Sequence, residues 1–293
     1  MTETMTDATT GVTTDAPTPA GPTSHTLAVQ GASIGYDDRL VVQDMTLEVP
    51  SGRITTIVGA NACGKSTLLR AMARLLRVRS GAVLLDGTPI DSIPSREVAT
   101  VLGLLPQSPV SPEGIAVADL VGRGRYPHQG WFRRWTREDD AAVEEALRAT
   151  DILDLADRPV DELSGGQRQR VWIAMALAQQ TDVLLLDEPT TFLDVSHQID
   201  VLDLLTDLNR TRGTTIVLVL HDLNLASRYT DHLVALRAGR LMAQGAPQDV
   251  ITPELVAEVF GLRAQVVPDP VSGTPLVVPI GRHHTAPVRA GSR

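Results

Sequence analysis

Short, uninterrupted apolar runs alternate with helix-period segments along most of the chain. Residues 54–58 form a wholly β-branched run, and residues 183–186 and 216–220 form two more continuous apolar runs. Runs of this length and composition are typical of strands buried on both faces. The segments 65–76 and 196–209 carry apolar residues at helical spacing. Buried strands that alternate with helices predict a parallel sheet with crossover connections.

Three regions depart from this alternation. Residues 27–49 have strand-like spacing, which predicts a small β layer, and residues 266–280 predict a terminal hairpin. Between about residues 108 and 180 the strand signal disappears. Thr136 with Asp139 three residues later resembles a capping box there, which predicts a helical insert. Shorter elements are predicted as a helix over 95–99, strands over 83–85, 101–105 and 241–243, and a helix that starts at Thr252-Pro253.

Composition narrows the classes of protein that fit. The chain of 293 residues has a formal net charge of −9, which argues against a protein that wraps nucleic acid. No apolar run reaches the roughly 18 residues that a membrane span needs, so a cytosolic location is expected. Residues 1–25 and 283–293 are predicted to be disordered tails, since such polar, proline-containing segments bury little apolar area. The single cysteine, Cys63, excludes an intramolecular disulfide.

A glycine-rich loop follows the first buried run and precedes a predicted helix. It matches the phosphate-binding pattern G-x-x-x-x-G-K-[ST] with Gly59, Ala60, Asn61, Ala62, Cys63, Gly64, Lys65, Ser66 and Thr67. Its amides would surround the β-phosphate of a nucleotide, with Lys65 reaching the β and γ oxygens and Ser66 offering its hydroxyl to Mg²⁺. Lys65 is the only lysine among 26 basic residues. Cys63 is also consistent with a small loop residue that has no chemical role.

Two acids end the apolar run 183–186. Asp187 and Glu188 would stand at the carboxyl edge of the sheet, where ligands of open parallel sheets bind. Asp187 is expected to hold Mg²⁺ through water, and Glu188 to act as general base toward the attacking water. Without the phosphate loop, a helix cap or a solvated rim would explain such a pair equally well.

A second candidate anion site opens the helix after residue 163. Ser164, Gly165, Gly166 and Gln167 would present amides and a hydroxyl at a helix N-terminus. A plain helix cap by Ser164 is the alternative. One nucleotide does not need two such sites in one chain, so the pattern predicts two copies arranged head to tail, each completing the other's site.

The motifs GANACGKST, LSGGQRQR and LLLDEP, followed by His221 after a buried strand, resemble the nucleotide-binding subunits of ABC transporters. The resemblance covers about residues 26–282 and implies an α/β P-loop fold of ABC type. This fold has a mixed or parallel sheet core, an N-terminal antiparallel β layer, a helical subdomain over about 108–180 and a hairpin over about 264–281. The resemblance also implies an adenine-stacking role for Tyr36, contacts of Gln107 with Mg²⁺ and water, contact of His221 with the γ-phosphate, and a place for Asp194 in a loop that faces the second copy.

Two loop positions depart from the family pattern, which usually has proline at position 60 and often glycine at position 62. If position 62 requires a positive φ, Ala62 costs roughly 1 to 2 kcal/mol. We expect the loop to tolerate both alanines, because Gly59 and Gly64 are present.

The region from Gly124 to Trp135, with Tyr126, Trp131 and Phe132, together with the segment 190–198 and the Ser272-Gly273 turn, is similar to the ATPases of ferric-siderophore importers of the ferric enterobactin type. This similarity implies separate permease subunits that contact Gly124–Trp135, an extracytoplasmic siderophore-binding protein, and a peripheral place on the cytoplasmic face of the inner membrane. Trp131, Phe132 and Trp135 could instead cover the core of the helical insert. Heme or cobalamin import, and non-transport ATPases of translation, repair or iron–sulfur assembly, remain alternatives.

Overall fold

A six-stranded sheet, a four-stranded sheet and a hairpin form the β structure in the computed structural model, which describes residues 25–107, 109–129, 135–191 and 193–283. The strands are β1 Leu27–Tyr36, β2 Arg39–Val49, β3 Ile54–Gly59, β4 Val78–Leu85, β5 Thr88–Pro89, β6 Leu102–Leu105, β7 Val183–Asp187, β8 Thr215–Val219, β9 His232–Arg237, β10 Arg240–Gly245, β11 Ala264–Pro268 and β12 Pro275–Pro279.

The helices connect and cover these sheets. They are α1 Lys65–Met72, α2 Ser95–Val101, α3 Val117–Gly122, α4 Arg137–Ala149, α5 Gly165–Ala178, α6 Val195–Arg212, α7 Leu223–Tyr229, α8 Pro247–Val250 and α9 Pro253–Phe260. Short 3-10 turns lie at Ile90–Ser92, Arg123–His128, Leu153–Leu155 and Val160–Glu162.

The six-stranded sheet positions the candidate site. Its order is β10-β9-β3-β8-β7-β6, and the five strands from β9 to β6 run parallel. β3 lies inside the sheet with every residue buried. Because parallel strands share one carboxyl edge, the residues that follow β3, β6, β7 and β8 are brought to the same edge.

The four-stranded sheet has the order β2-β1-β4-β5 and pairs antiparallel throughout. Its buried side chains join those of α1 and one face of the six-stranded sheet in a single core cluster. The opposite face of the six-stranded sheet packs in a second core cluster with α3, α4, α5 and α6. The β layer therefore holds α1, the helix that begins at Lys65, against the central sheet.

The region between β6 and β7 is helical. Its described residues contain no strand, and the capping box predicted at the start of α4 is confirmed: Asp139 N donates to Thr136 Oγ1 at 3.3 Å, and Thr136 N to Asp139 Oδ2 at 3.0 Å. The stripe that α4 buries includes Val143 and Leu147.

Several sequence predictions need correction. α1 ends at Met72 although helical spacing continues to residue 76, because Arg74 adopts a left-handed φ of +60°. α6 extends to Arg212, where Gly213 at φ +69° ends it. The structure also contains β9 and α7, two elements that the sequence patterns do not predict. Within the described residues, no helix is both long enough and apolar enough to cross a bilayer.

The two predicted tails lie outside the described residues except for His25 and His283. His25 makes contacts with the folded domain. Its Nδ1 lies 2.6 Å from Asp86 Oδ2, and its carbonyl accepts a hydrogen bond from Ser51 Oγ at 2.8 Å. These contacts tie His25 to the start of the β layer.

Candidate functional site

The loop after β3 combines left-handed backbone with close packing. Gly59, Ala62 and Gly64 have φ values of +155°, +59° and +108°. A Cβ on Gly59 would lie 2.3 Å from the carbonyl oxygen of Leu236 in β9, so only glycine fits there. Ala62 is the one non-glycine residue of the loop with positive φ. Alanine is therefore strained at this position.

The amine of Lys65 lies inside this loop. Its Nζ donates to the carbonyl oxygens of Gly59 at 3.0 Å and Ala60 at 3.2 Å, and the residue is only 5% exposed. The N-terminus of α1 and this buried ammonium put positive charge on the same side of the loop. An anion at the loop mouth would therefore meet both.

Ser66 and Asp187 join the loop to the end of β7. Ser66 Oγ donates to Asp187 Oδ1 at 2.8 Å, and Asp187 is 2% exposed. Burial raises the pKa of Asp187, although the Ser66 bond opposes the shift. A buried carboxylate beside a hydroxyl is an oxygen donor set of the kind that suits Mg²⁺, whose charge would compensate the desolvated carboxylate.

The Glu188 carboxylate is held by three neighbours. Gln107 Nε2 donates to Oε2 at 2.7 Å, and Thr191 Oγ1 donates to the same oxygen at 3.2 Å. His221 Nε2 lies 2.6 Å from Oε1. Glu188 itself has a φ of +56° directly after β7, a conformation that costs a non-glycine residue about 1 to 3 kcal/mol. Such strain concentrates at functional sites, where the surrounding structure fixes it.

An open cavity of about 500 Å³ lies at this edge of the sheet, and Gly59, Asp187 and Thr191 stand just behind its lining. Its described lining comprises the loop and three strand-end residues: Asn61, Ala62, Cys63, Gly64, Lys65, Ser66, Thr67, Gln107, Glu188 and His221, together with Arg39 and Val41 of β2. The sequence does not predict Arg39, Val41 or Thr191 as site residues. Two strand residues about 20 positions before the loop, and one hydroxyl after the acids, carry no distinctive pattern. Cys63 is buried within the loop, and burial raises the pKa of its thiol.

Three predicted groups are not among the described residues that line this cavity. Ser164 forms a capping box with Gln167, whose backbone N donates to Ser164 Oγ at 3.2 Å. Asp194 caps α6 by accepting from His197 N at 3.0 Å. Tyr36 is 42% exposed and accepts from Arg70 Nη1 at 3.3 Å. Neither Gly165 nor Gly166 is among the described lining residues. Within one copy, capping and surface contacts account for all of them.

Comparison with known proteins identifies the family. The family model described as ABC transporter matches residues 42–191. The chain belongs to the ABC transporter family. The chain is 55% identical over 256 residues to the probable siderophore transport system ATP-binding protein YusV of Bacillus subtilis (strain 168), covering 87% of this chain and 93% of that protein. It is also 55% identical over 260 residues to the ferric enterobactin transport ATP-binding protein FepC of Escherichia coli (strain K12), covering 89% and 95%.

A solved structure agrees with these relatives. A metal-chelate type ABC transporter in an inward-facing conformation superposes with a TM-score of 0.75 at 29% identity, covering 88% of this chain and 98% of that one. The predicted fold class and the resemblance to ABC transporter ATPases are confirmed. As a member of the family, the chain binds ATP and is an ATPase.

The predicted permease-facing region of this ABC ATPase divides into a buried and an exposed part. Arg125 is 6% exposed, and its Nε donates to Asp139 Oδ1 at 2.9 Å. A Cβ on Gly124 would lie 2.2 Å from the carbonyl oxygen of Met175, so the turn packs directly on α5. Within the region 124–135, Gly124 and Arg125 are therefore buried and do not face outward. They instead fix the turn to the helical region.

Tyr126 and Trp135 are the exposed part of this region, at 60% and 46%. Trp135 Nε1 donates to Asp140, and its ring packs against Gly122. Both aromatic residues line a groove of about 760 Å³ between α3 and α4. Trp131 and Phe132, like Phe192 of the 190–198 segment, lie outside the described residues.

Proposed function

We propose that this chain is the ATP-hydrolysing subunit of an ABC importer that drives uptake of iron(III)-siderophore through a separate permease. The observation that carries the enzymatic part is the Glu188 carboxylate, held by Gln107, Thr191 and His221 beside the Lys65 loop. The siderophore substrate rests on the two relatives named for siderophore and ferric enterobactin transport, each 55% identical to this chain.

ATP would bind with its phosphates in the cavity after β3. The loop amides and the Lys65 ammonium meet the β- and γ-phosphates, and Tyr36 stacks on adenine at the exposed end of β1. Lys65 Nζ now bonds two loop carbonyls, and these weak neutral acceptors are readily exchanged for charged phosphate oxygens.

Ser66, Asp187 and Gln107 would hold Mg²⁺. The Ser66 hydroxyl and the Asp187 carboxylate are already 2.8 Å apart at the sheet edge. When bound, the ion supplies positive charge that balances the phosphate oxygens. Gln107 stands at the end of β6, where its amide also reaches Glu188.

Glu188 has room for one more hydrogen bond. Oε2 accepts from Gln107 and Thr191, and Oε1 is paired with His221. A carboxylate has about four acceptor positions, so one position on Oε1 is left for a water proton. That water would attack the γ-phosphorus, the bond to the β-phosphate oxygen would break, and the water's proton would pass to Glu188. His221, at the same carboxylate, would also contact the γ-phosphate.

A second copy of the chain would complete the site. None of the residues from Ser164 to Gln167, nor Asp194, lines the cavity of its own chain. Ser164 and Asp194 are exposed, so a second copy can contact them. In a head-to-tail pair, each copy offers its Ser164 amides and hydroxyl to the γ-phosphate held by the other. Closure of this pair around two ATP molecules would be the movement that drives transport.

The groove beside Tyr126 and Trp135 would receive the permease. Its floor includes Val143 and Leu147, and Tyr126 and Trp135 are exposed beside it. The groove combines these aromatic and aliphatic side chains with the charged residues Asp119, Arg123, Asp140 and Glu144. Such a groove suits an amphipathic helix. The chain would thus sit peripherally at the cytoplasmic face of the plasma membrane, and an extracytoplasmic siderophore-binding protein would deliver the substrate to the permease.

Reconstitution tests the proposal. The chain and candidate permease subunits would be placed in vesicles with ATP, and the uptake of iron-labelled siderophore would be measured. We expect ATP-dependent uptake that Lys65→Ala abolishes. ATP hydrolysis without siderophore uptake, but with uptake of heme or cobalamin, would reassign the substrate. No permease stimulation of any kind would favour a non-transport ATPase.

A further inference from the structure

The terminal hairpin of β11 and β12 is bonded to the helix that follows His221. Asn224, in the first turn of α7, bonds both backbone groups of one hairpin residue. Its Nδ2 donates to the carbonyl oxygen of Val277 at 3.3 Å, and its Oδ1 accepts from Val277 N at 2.7 Å. Val277 is the buried centre of β12. The pair of bonds therefore fixes α7 against the strand in both directions.

A second contact holds the other end of the same helix. Arg228 Nη2 donates to Asp269 Oδ2 at 2.7 Å, and Asp269 Oδ1 accepts from the backbone N of Val271 at 2.8 Å and of Ser272 at 3.1 Å. These backbone bonds and the Arg228 guanidinium lower the pKa of Asp269 to about 2. The hairpin turn is thus ordered by the carboxylate that binds α7.

His221 lies between two fixed points. The strand β8 ends at Val219, and Asp222 caps α7 by accepting from Asn224 N at 2.7 Å and Leu225 N at 3.0 Å. Between strand and cap there are only Leu220, which is buried, and His221. The position of α7 consequently determines where the His221 imidazole stands relative to Glu188, 2.6 Å away.

We propose that Asn224 is a positioning residue for ATP hydrolysis, and that the β11–β12 hairpin sets the His221–Glu188 contact through it. The inference rests on the proposed roles of Glu188 and His221. The side chain of Asn224 is bonded to β12 and does not line the nucleotide cavity, so it acts through His221 and not on ATP. A misplacement of about 1 Å can cost up to 100-fold in rate.

A double-mutant cycle on the full chain tests the inference. Single-turnover hydrolysis of ATP would be followed over hours, so that slow variants stay measurable. We expect Asn224→Ala to lower the hydrolysis rate about 10-fold and to change the Kd for ATP less than twofold. In a His221→Ala background the same substitution should change the rate less than twofold, because the residue through which it acts is gone.

Asn209→Ala is the matched control. Asn209 also makes two side-chain bonds to backbone, to the carbonyl oxygens of Gly52 at 3.0 Å and Thr214 at 2.8 Å, but it stands beside the other end of β8. It should lower the melting temperature as Asn224→Ala does, with little effect on the hydrolysis rate. Asn224→Asp keeps the acceptor for Val277 N and should recover part of the rate.

Two results would overturn the inference. One is an equal loss of hydrolysis rate from Asn224→Ala whether His221 is present or replaced by alanine. The other is a rate loss in Asn209→Ala as large as that in Asn224→Ala. Either would show a general structural effect. If Asn224→Ala does not fold, Asn224→Asp and Arg228→Gln are taken through the same cycle. Full hydrolysis by Glu188→Gln would defeat the proposed function itself, whereas loss in Glu188→Gln and His221→Ala with no coupling to Asn224 would defeat only this inference.

Discussion

Substituting Ala62 by glycine should stabilise the protein. Ala62 is exposed and has a φ of +59°, so the substitution removes backbone strain and almost no packing. The left-handed conformation costs an alanine about 1 to 2 kcal/mol relative to glycine. Glycine also makes the unfolded chain more flexible, which removes about 0.4 to 1 kcal/mol of the gain. The expected net stabilisation is about 0.8 kcal/mol.

The assay is thermal unfolding without nucleotide, with Ala60→Gly as the matched control. A stabilisation of this size raises the Tm of a domain this large by about 2 to 3 °C. Ala60, two positions earlier in the same loop, is not among the residues with positive φ. Ala60→Gly therefore relieves no strain and only makes the unfolded chain more flexible. It should be about 0.4 to 1 kcal/mol less stable than wild type.

The opposite signs of the two substitutions are the decisive result. If Ala62→Gly lowers the Tm as Ala60→Gly does, the strain argument is wrong. The loop has its strained conformation already without nucleotide, so the strain at Ala62 lowers the stability of the fold and not the affinity for ATP. The ATP affinities of wild type and Ala62→Gly should therefore differ less than about threefold. A wild-type affinity far poorer than that of Ala62→Gly would contradict the expectation that the loop tolerates alanine.

Three further predictions concern single side chains. Lys65 carries the only side-chain amine, so an amine-directed reagent should inactivate at essentially that residue, and ATP should slow the inactivation; modification without loss of activity would count against its role. Burial raises the pKa of the Cys63 thiol, so maleimide labelling should be slower than for a free cysteine at pH 7 and accelerate as the pH rises above 9; fast labelling at pH 7 would refute this. Arg125→Ala should destabilise the chain by about 3 kcal/mol, because the buried Asp139 carboxylate loses its ion-pair partner and keeps only its bonds from Thr136. A melting temperature unchanged from wild type would show that the pair is not structural.

Much of the site followed from local patterns. Gly59 to Thr67 and the pair Asp187 and Glu188 are recognisable because each lies at the end of a continuous apolar run, and the parallel sheet then brings strand ends together. The spacing of these motifs along the chain can therefore be recognised in the sequence. The hydrogen bonds between them cannot, because they depend on long-range packing. The Gln107–Glu188 contact, for example, joins the ends of two strands with the whole helical region between them.

Other features could not be predicted for the same physical reason. An arginine beside aromatic residues is typical of an exposed interface, but Arg125 is buried. Its burial depends on bonds to Asp139, Ala178 and Gln180, which come close only after α4 and α5 have packed. β9 begins three positions after the end of α7, with no glycine or proline before it, so its short apolar run does not stand out in the sequence. The left-handed φ of Glu188 has no sequence signature, since glutamate is not a residue that favours it.

The central claim is that Glu188 is the general base of an ATPase that works as a pair of copies. Size-exclusion chromatography of Glu188→Gln with ATP and Mg²⁺, followed by assay of the bound nucleotide, tests it most directly. Glutamine keeps the shape of the side chain and cannot take the water's proton. The account predicts a dimer that retains unhydrolysed ATP, while Lys65→Ala stays monomeric and nucleotide-free. A Glu188→Gln protein that remains monomeric, or that releases ADP at the wild-type rate, would contradict it.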